Sequence, residues 1–183
     1  TQLQSSAASD VYKRQLEYSV NSGKENGVND PEYLMKVESL VNFLRSQPNI
    51  SSVRSYTDVV KRLNQTFNED DESFYKVPNS ELEAAQDLFL YELSLGYGLD
   101  LTDQINVDKS ALRVTANVSK TTTKGFLELD KKVQSWFDEN APELSTKSTG
   151  TSQVFSKISS RDVPAMLKGT GFCLLYTSDA ADD

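Results

Sequence analysis

The densest group of potentially reactive side chains is the carboxylate run Glu-Asp-Asp-Glu at residues 69–72. A calcium-binding loop needs oxygen ligands at alternating positions and a glycine for its turn, and this run has neither. A solvated loop is therefore the better interpretation. Gly96 and Gly98 lack the third glycine, or the Lys and Ser/Thr, with which a phosphate-binding loop holds a nucleotide. This pair predicts the end of a helix.

The chain contains no histidine, which is the commonest general base near neutral pH and the commonest transition-metal ligand in proteins. The scattered Asp, Glu, Ser and Tyr residues then have no evident base to activate them. The sequence therefore predicts no catalytic, cofactor-binding or metal-binding residue. We expect that the protein is not an enzyme and that it carries no cofactor.

The formal net charge of −8 comes from 19 basic and 27 acidic residues. Because binding to nucleic acid is driven by Lys and Arg that displace counterions from phosphates, this balance argues against a nucleic-acid partner. No uncharged apolar run approaches the roughly 20 residues that a membrane-spanning helix needs. The sequence thus predicts a water-exposed segment.

The two ends of the chain are related to each other at the level of DNA. With one choice of codons, residues 5–15 are encoded by a string that resembles a transposase-type sequencing adapter. The reverse complement of that string, read one nucleotide in, encodes residues 173–182 and leaves the start of a codon that fits Asp183. We interpret residues 1–15 and 173–183 as translated adapter, and residues 16–172 as one natural domain. Cys173, the only cysteine, then supports neither a disulfide nor a catalytic thiol.

The first part of the natural domain predicts a strand, a helix and a second strand. Residues 16–20 alternate apolar and polar side chains, as a half-buried strand does. Asp30 and Pro31 then open a helix with a capping carboxylate and a proline in the first turn. That helix must end before Pro48, and residues 50–56 predict the second strand.

Two further helices are expected before the next strand. The first begins near Thr57 and has its apolar face on Val60, Leu63 and Phe67. The second follows Ser80, which has the spacing of a capping box with Glu83. Its apolar face consists of Ala84, Leu88, Tyr91 and Leu95.

The last part of the natural domain repeats the order of strand, helix and strand. Residues 110–119 alternate with period two and predict a third strand. A helix over about residues 123–140 follows, and residues 144–151 predict a short fourth strand before a helical piece that begins at Val154. Two split β-α-β halves with a helical insertion between them predict an α+β, ferredoxin-like fold with helices packed on one face of an antiparallel sheet.

Several motifs resemble one family across nearly the whole natural domain. They are similar to the large extracytoplasmic loops of predicted exporters of the RND superfamily, the group that includes the MMPL lipid transporters and the hydrophobe-amphiphile efflux type. The motifs that carry the resemblance, in chain order, are Asp30-Pro31-Glu32-Tyr33-Leu34, Ser46-Gln47-Pro48, Tyr56-Thr57-Asp58-Val59-Val60-Lys61-Arg62-Leu63-Asn64, Leu90-Tyr91-Glu92-Leu93-Ser94-Leu95, Tyr97-Gly98-Leu99-Asp100-Leu101, Gln104-Ile105-Asn106-Val107-Asp108-Lys109-Ser110, Thr149-Gly150-Thr151 and Met166-Leu167-Lys168-Gly169-Thr170.

The resemblance implies a periplasmic porter domain, part of a larger transporter in the bacterial inner membrane. Such a transporter moves hydrophobic or amphiphilic molecules, lipids among them, at the expense of the proton gradient, and its proton-carrying acids lie inside membrane helices. The resemblance also implies that the chain enters a membrane helix after Phe172, and it leaves a homo-oligomer of the full-length transporter open. An apolar substrate path could be lined by Phe89, Tyr91, Tyr97 and Leu99, although ordinary helix packing is the simpler interpretation of these four residues.

A second class of function fits the same pattern of strands and helices. The domain could be a free-standing, secreted α+β binding or interaction domain, with a secretion signal upstream of residue 16 and a stop codon shortly after Phe172. The sequence of the unbroken gene on either side of the domain distinguishes the two hypotheses.

Overall fold

The computed structural model describes residues 14–96, 101–119 and 121–150 and, beyond them, residues 153, 154, 156, 158, 161, 162, 165–171 and 173. The strands are β1 (Arg14–Asn21), β2 (Ile50–Arg54) and β3 (Ala111–Val118). The helices are α1 (Pro31–Arg45), α2 (Tyr56–Phe67), α3 (Glu81–Ser94) and α4 (Thr123–Asn140). Short 3-10 turns lie at Gly27–Asn29, Glu72–Phe74 and Pro142–Leu144.

Strand β3 is the central strand of the sheet, with β1 on one side and β2 on the other. Both neighbours pair with β3 in the antiparallel sense, so that Thr115 lies between Glu17 of β1 and Arg54 of β2. The strands β1 and β2 are therefore parallel to each other and separated by β3. Helix α1 connects them, which makes β1-α1-β2 a split β-α-β unit.

The predicted fourth strand is reduced to a single bridge. Thr149 pairs antiparallel with Glu17 on the edge of β1 that faces away from β3. The two residues exchange both backbone hydrogen bonds, with N···O distances of 3.2 Å and 2.7 Å. The order from edge to edge is thus Thr149, β1, β3, β2, which makes β3, α4 and Thr149 a second split unit around β1. This confirms the α+β fold with its split β-α-β order, in which the described residues 144–150 contribute one bridge in place of the regular strand predicted over residues 144–151.

The hydrophobic core lies on one face of this sheet, as the alternating patterns of β1 and β3 predict. Every second residue of β1 is fully buried, and the same is true along β3. Apolar side chains of α1 and α4 complete the same cluster. Burial of each large apolar side chain contributes about 1.5–3 kcal/mol. The core residues of these four elements are Leu16, Tyr18, Val20, Leu34, Val37, Leu40, Val41, Leu44, Leu112, Val114, Ala116, Val118, Phe126, Leu129, Val133 and Phe137.

Each of the four helices begins at a side chain that accepts a hydrogen bond from its first turn. Asp30 caps α1, Ser55 caps α2, Ser80 caps α3 and Thr122 caps α4. Such caps satisfy backbone N–H groups that have no partner inside the helix. Ser55 ends β2 earlier than predicted, so Tyr56 belongs to α2 and not to the strand.

Helices α2 and α3 form the predicted insertion between the two halves. The predicted apolar face of α2 is partly wrong, because Phe67 is exposed while Lys61 and Asn64 are buried. Lys61 forms an ion pair with Glu38 of α1, with an N···O distance of 2.6 Å. The Asn64 amide donates a hydrogen bond of 2.9 Å to the Lys76 carbonyl. Polar side chains with partners on neighbouring segments therefore take positions that hydrophobic spacing assigns to the solvent.

Candidate functional site

The carboxylate run at residues 69–72 serves the local structure of its loop. The Asp71 side chain accepts a hydrogen bond of 2.8 Å from the backbone N–H of Ser73 and caps the 3-10 turn Glu72–Phe74. The hydrogen bonds from Ser73 hold the pKa of Asp71 below its ordinary value. Within the described part of the chain, no three His, Cys, Asp or Glu side chains are grouped as a metal site requires.

Helix α3 carries apolar side chains on two opposite faces. Ala84 and Leu88 are buried against the core, with 3% and 1% of their surface exposed. On the other side, Leu82 and Leu93 are exposed at 76% and 67%, and Phe89 at 58%. A contiguous apolar patch on an exposed surface often marks a binding site, whereas single exposed apolar residues need no explanation. We call Leu82, Phe89, Leu90 and Leu93 the α3 stripe.

Two of the four predicted path residues lie on α3, but on different sides of the helix. Phe89 belongs to the exposed α3 stripe, whereas Tyr91 is half-buried against the hydrophobic core. Two residues advance about 200° around a helix, which separates the two rings. Tyr97 and Leu99 lie outside the described residues. The substrate path therefore stays a prediction.

Only acidic charges occur on α3, and no Lys or Arg accompanies them. Glu81 and Glu92 border one side of the α3 stripe and Glu83 borders the other, as the helical spacing requires. Glu92 forms an ion pair with Lys109, with an N···O distance of 2.8 Å. The stripe is thus a band of apolar surface between two acidic edges.

Asp87 is a buried carboxylate on the same helix. Only 7% of the residue is exposed, and its Oδ2 atom has no hydrogen-bond partner. Burial, assisted by the negative charge of Glu83, raises the pKa of Asp87 to about 6. Sequence reasoning missed this residue. The available signal was its spacing, three residues after Ala84 and four before Tyr91, which places it at the margin of the buried face.

A polar cavity of about 280 Å³ lies on the face of the sheet opposite the core. Arg54, Arg113 and Glu17 line it, together with the first turn of α2. The Arg113 guanidinium lies 3.9 Å from the Glu17 carboxylate. The side chain of Arg54 is exposed to solvent. Sequence reasoning missed this cavity, because it depends on the pairing of β2 with β3.

Ser55, which lines the cavity, accepts hydrogen bonds from the backbone N–H and the hydroxyl of Thr57 at the start of α2. The cavity could hold a small polar molecule through its arginine and carboxylate side chains, and the α3 stripe could contact an apolar one. Both are therefore candidates for binding, and we place the candidate functional site at α3 because its exposed apolar surface lacks a structural explanation.

No protein-family model, no curated protein and no solved structure matches the chain. The resemblance to RND-type exporters thus stays a prediction from the sequence motifs. Within the described residues, every helix is too short or too polar to cross a lipid bilayer.

Proposed function

We propose that this chain is an extracytoplasmic domain of an RND-type exporter in the bacterial inner membrane. The exporter uses the proton gradient to move hydrophobic or amphiphilic molecules, lipids among them. Its membrane helices lie on either side of the segment, and the segment itself catalyses no reaction. The absence of histidine from the sequence supports this last point.

The observation that carries the proposal is the topology of the sheet. Motifs in the sequence resemble exporter loops, and the same sequence predicts two split β-α-β halves with an insertion between them. The bridge between Thr149 and Glu17 supplies the fourth position of that sheet. Helices α2 and α3 supply the insertion between β2 and β3. Since one fold can host many functions, the topology supports the proposal without replacing a functional test.

The first experiment is to read the unbroken gene from the source DNA on both sides of the codons for residues 16–172. We expect a stretch of about 20 apolar codons after Phe172, and a similar stretch upstream, because each must cross the hydrocarbon core. A stop codon soon after Phe172, with a secretion signal upstream, would instead support a free-standing secreted binding domain.

The second experiment measures transport by the full-length protein. The gene is expressed in a bacterium from which the main exporters have been deleted, and the cells are loaded with the fluorescent amphiphile N-phenyl-1-naphthylamine. We expect lower dye accumulation than in cells with the empty vector, and we expect a protonophore to abolish the difference. Equal accumulation across a panel of dyes and lipids would contradict the proposal.

A further inference from the structure

We infer that the α3 stripe is a docking surface for an amphipathic helix of another protein, one whose own apolar stripe is flanked by Lys and Arg. This inference is independent of the exporter function. It gives Phe89 a protein contact in place of the substrate contact predicted from the sequence.

The shape of the surface favours a helix as its occupant. Leu82, Phe89 and Leu93 follow one another at helical spacing and form a ridge about 16 Å long, at 1.5 Å per residue. A ridge of this kind packs into the groove between the side-chain rows of a second helix. Small ligands are held instead in concave pockets that surround most of their surface, and a convex helix face offers no such enclosure.

The charges beside the stripe define the chemistry of the partner. Glu81 and Glu92 lie along one edge and Glu83 along the other, and α3 has no basic residue. Lys109 pairs with Glu92, and the Glu83 carboxylate accepts a hydrogen bond of 3.3 Å from the Asn79 backbone N–H, while Glu81 is exposed beside the stripe. Opposite charges across an interface guide association and exclude wrong partners. A helix with Lys or Arg on both sides of its apolar stripe is therefore complementary to α3.

A second copy of the chain fits this surface poorly. Two α3 helices packed against each other would bring only carboxylates together, because the helix carries four acidic residues and no basic one.

The stripe is not needed to hold α3 in place. The helix is fixed by the burial of Ala84 and Leu88 and by the Ser80 cap, whose hydroxyl oxygen lies 3.2 Å from the Glu83 nitrogen. The exposed side is thus a preformed surface, and substitutions on it leave the core contacts intact. This separation allows docking and folding to be tested independently.

The test uses the full chain and a fluorescein-labelled, 14-residue helical peptide of leucine and lysine as the probe. Binding is followed by fluorescence anisotropy. The double variant Phe89→Gln/Leu93→Gln is expected to bind the peptide at least about tenfold more weakly than the unaltered chain, since the centre of an interface carries most of its affinity. The control is Met35→Gln/Val107→Gln, which alters two other exposed apolar residues and is expected to change affinity less than about twofold.

Two further measurements decide the nature of the occupant. A peptide of the same pattern with glutamate in place of lysine is expected to bind at least about tenfold more weakly to the unaltered chain. Sedimentation is expected to show a monomer for both the unaltered chain and the stripe variant. Equal affinity for the two peptides, equal affinity of the stripe and control variants, or a dimer that the stripe variant dissociates would overturn the inference. Circular dichroism of each variant verifies that the fold is retained.

Discussion

The buried carboxylate of Asp87 predicts an unusual dependence of stability on pH. Its pKa is raised from the ordinary value of 3.8 to about 6. Between about pH 4 and about pH 6 the folded state therefore holds a proton that the unfolded state has released. The protonated form contributes stability below about pH 4, and that contribution is lost as the pH rises to about 6. From the two pKa values the loss is about 3 kcal/mol.

The perturbation that tests this reasoning is Asp87→Asn, which keeps the size of the side chain and removes its charge. At pH 7.5 we expect the variant to be more stable than the unaltered chain by up to about 3 kcal/mol, since the penalty of an ionised buried group is gone. Near pH 4 the difference should be small. The exposed Asp138→Asn makes the same change in net charge and serves as the control.

Urea unfolding between pH 4 and pH 8 can be followed by the fluorescence of Trp136, the only tryptophan in the chain. This ring stacks on Phe43 at a centroid distance of 5.8 Å and packs against the core, so unfolding changes its surroundings. If Asp87→Asn and the unaltered chain differ by the same amount at every pH, the carboxylate does not titrate as the structure requires and the reasoning is refuted.

Two other substitutions probe the core and the fourth position of the sheet. Phe137→Ala, at a fully buried site, is expected to reduce the free energy of unfolding by about 3–5 kcal/mol; in urea titrations the exposed Phe67→Ala should cost far less, and equal costs would contradict the assigned core. Gly150→Ala is expected to cost about 1–3 kcal/mol, because φ is +113° and the new Cβ would lie 3.3 Å from the Gln15 carbonyl oxygen. Gly169→Ala meets no atom within 4 Å, so a thermal midpoint lowered equally by both glycine variants would argue against this backbone strain.

The sequence predicts the elements whose signals are local. The alternation along β3 matches the buried positions of that strand, and the helix predicted over about residues 123–140 coincides with α4. The capping spacing of Ser80 and Glu83 also marks the start of α3. These signals work because backbone capping and burial on one face depend mainly on residues close in the chain.

The predictions of burial and of strand bounds fail where a residue far away in the sequence makes the deciding contact. Lys61 is buried because Glu38 lies opposite it on α1, a contact that hydrophobic spacing does not contain. Among the described residues of the predicted fourth strand, Thr149 alone pairs with the edge of β1. Strand β1 spans Arg14–Asn21, longer than the predicted residues 16–20, because its pairing with β3 sets its length.

At the candidate site, the sequence does not show which apolar face of α3 is buried. Leucine and aromatic residues occupy two faces of α3, and both faces have helical spacing. The sequence alone therefore identifies the apolar residues without showing which face turns inward. The predicted face with Ala84 and Leu88 is buried, and that result is what leaves Leu82 and Leu93 exposed. The sequence could not predict the polar cavity, because Arg54 and Thr115 come together only when β2 pairs with β3.

Because β3 is the central strand, the sheet cannot form until β3 has been synthesised. β1 and β2 do not pair with each other, and each pairs with β3, which begins at Ala111. About ninety residues must therefore leave the ribosome after β1 before its first ladder can close, and contacts that join such distant segments slow folding. During synthesis the two outer strands remain without partners until β3 arrives and joins them both.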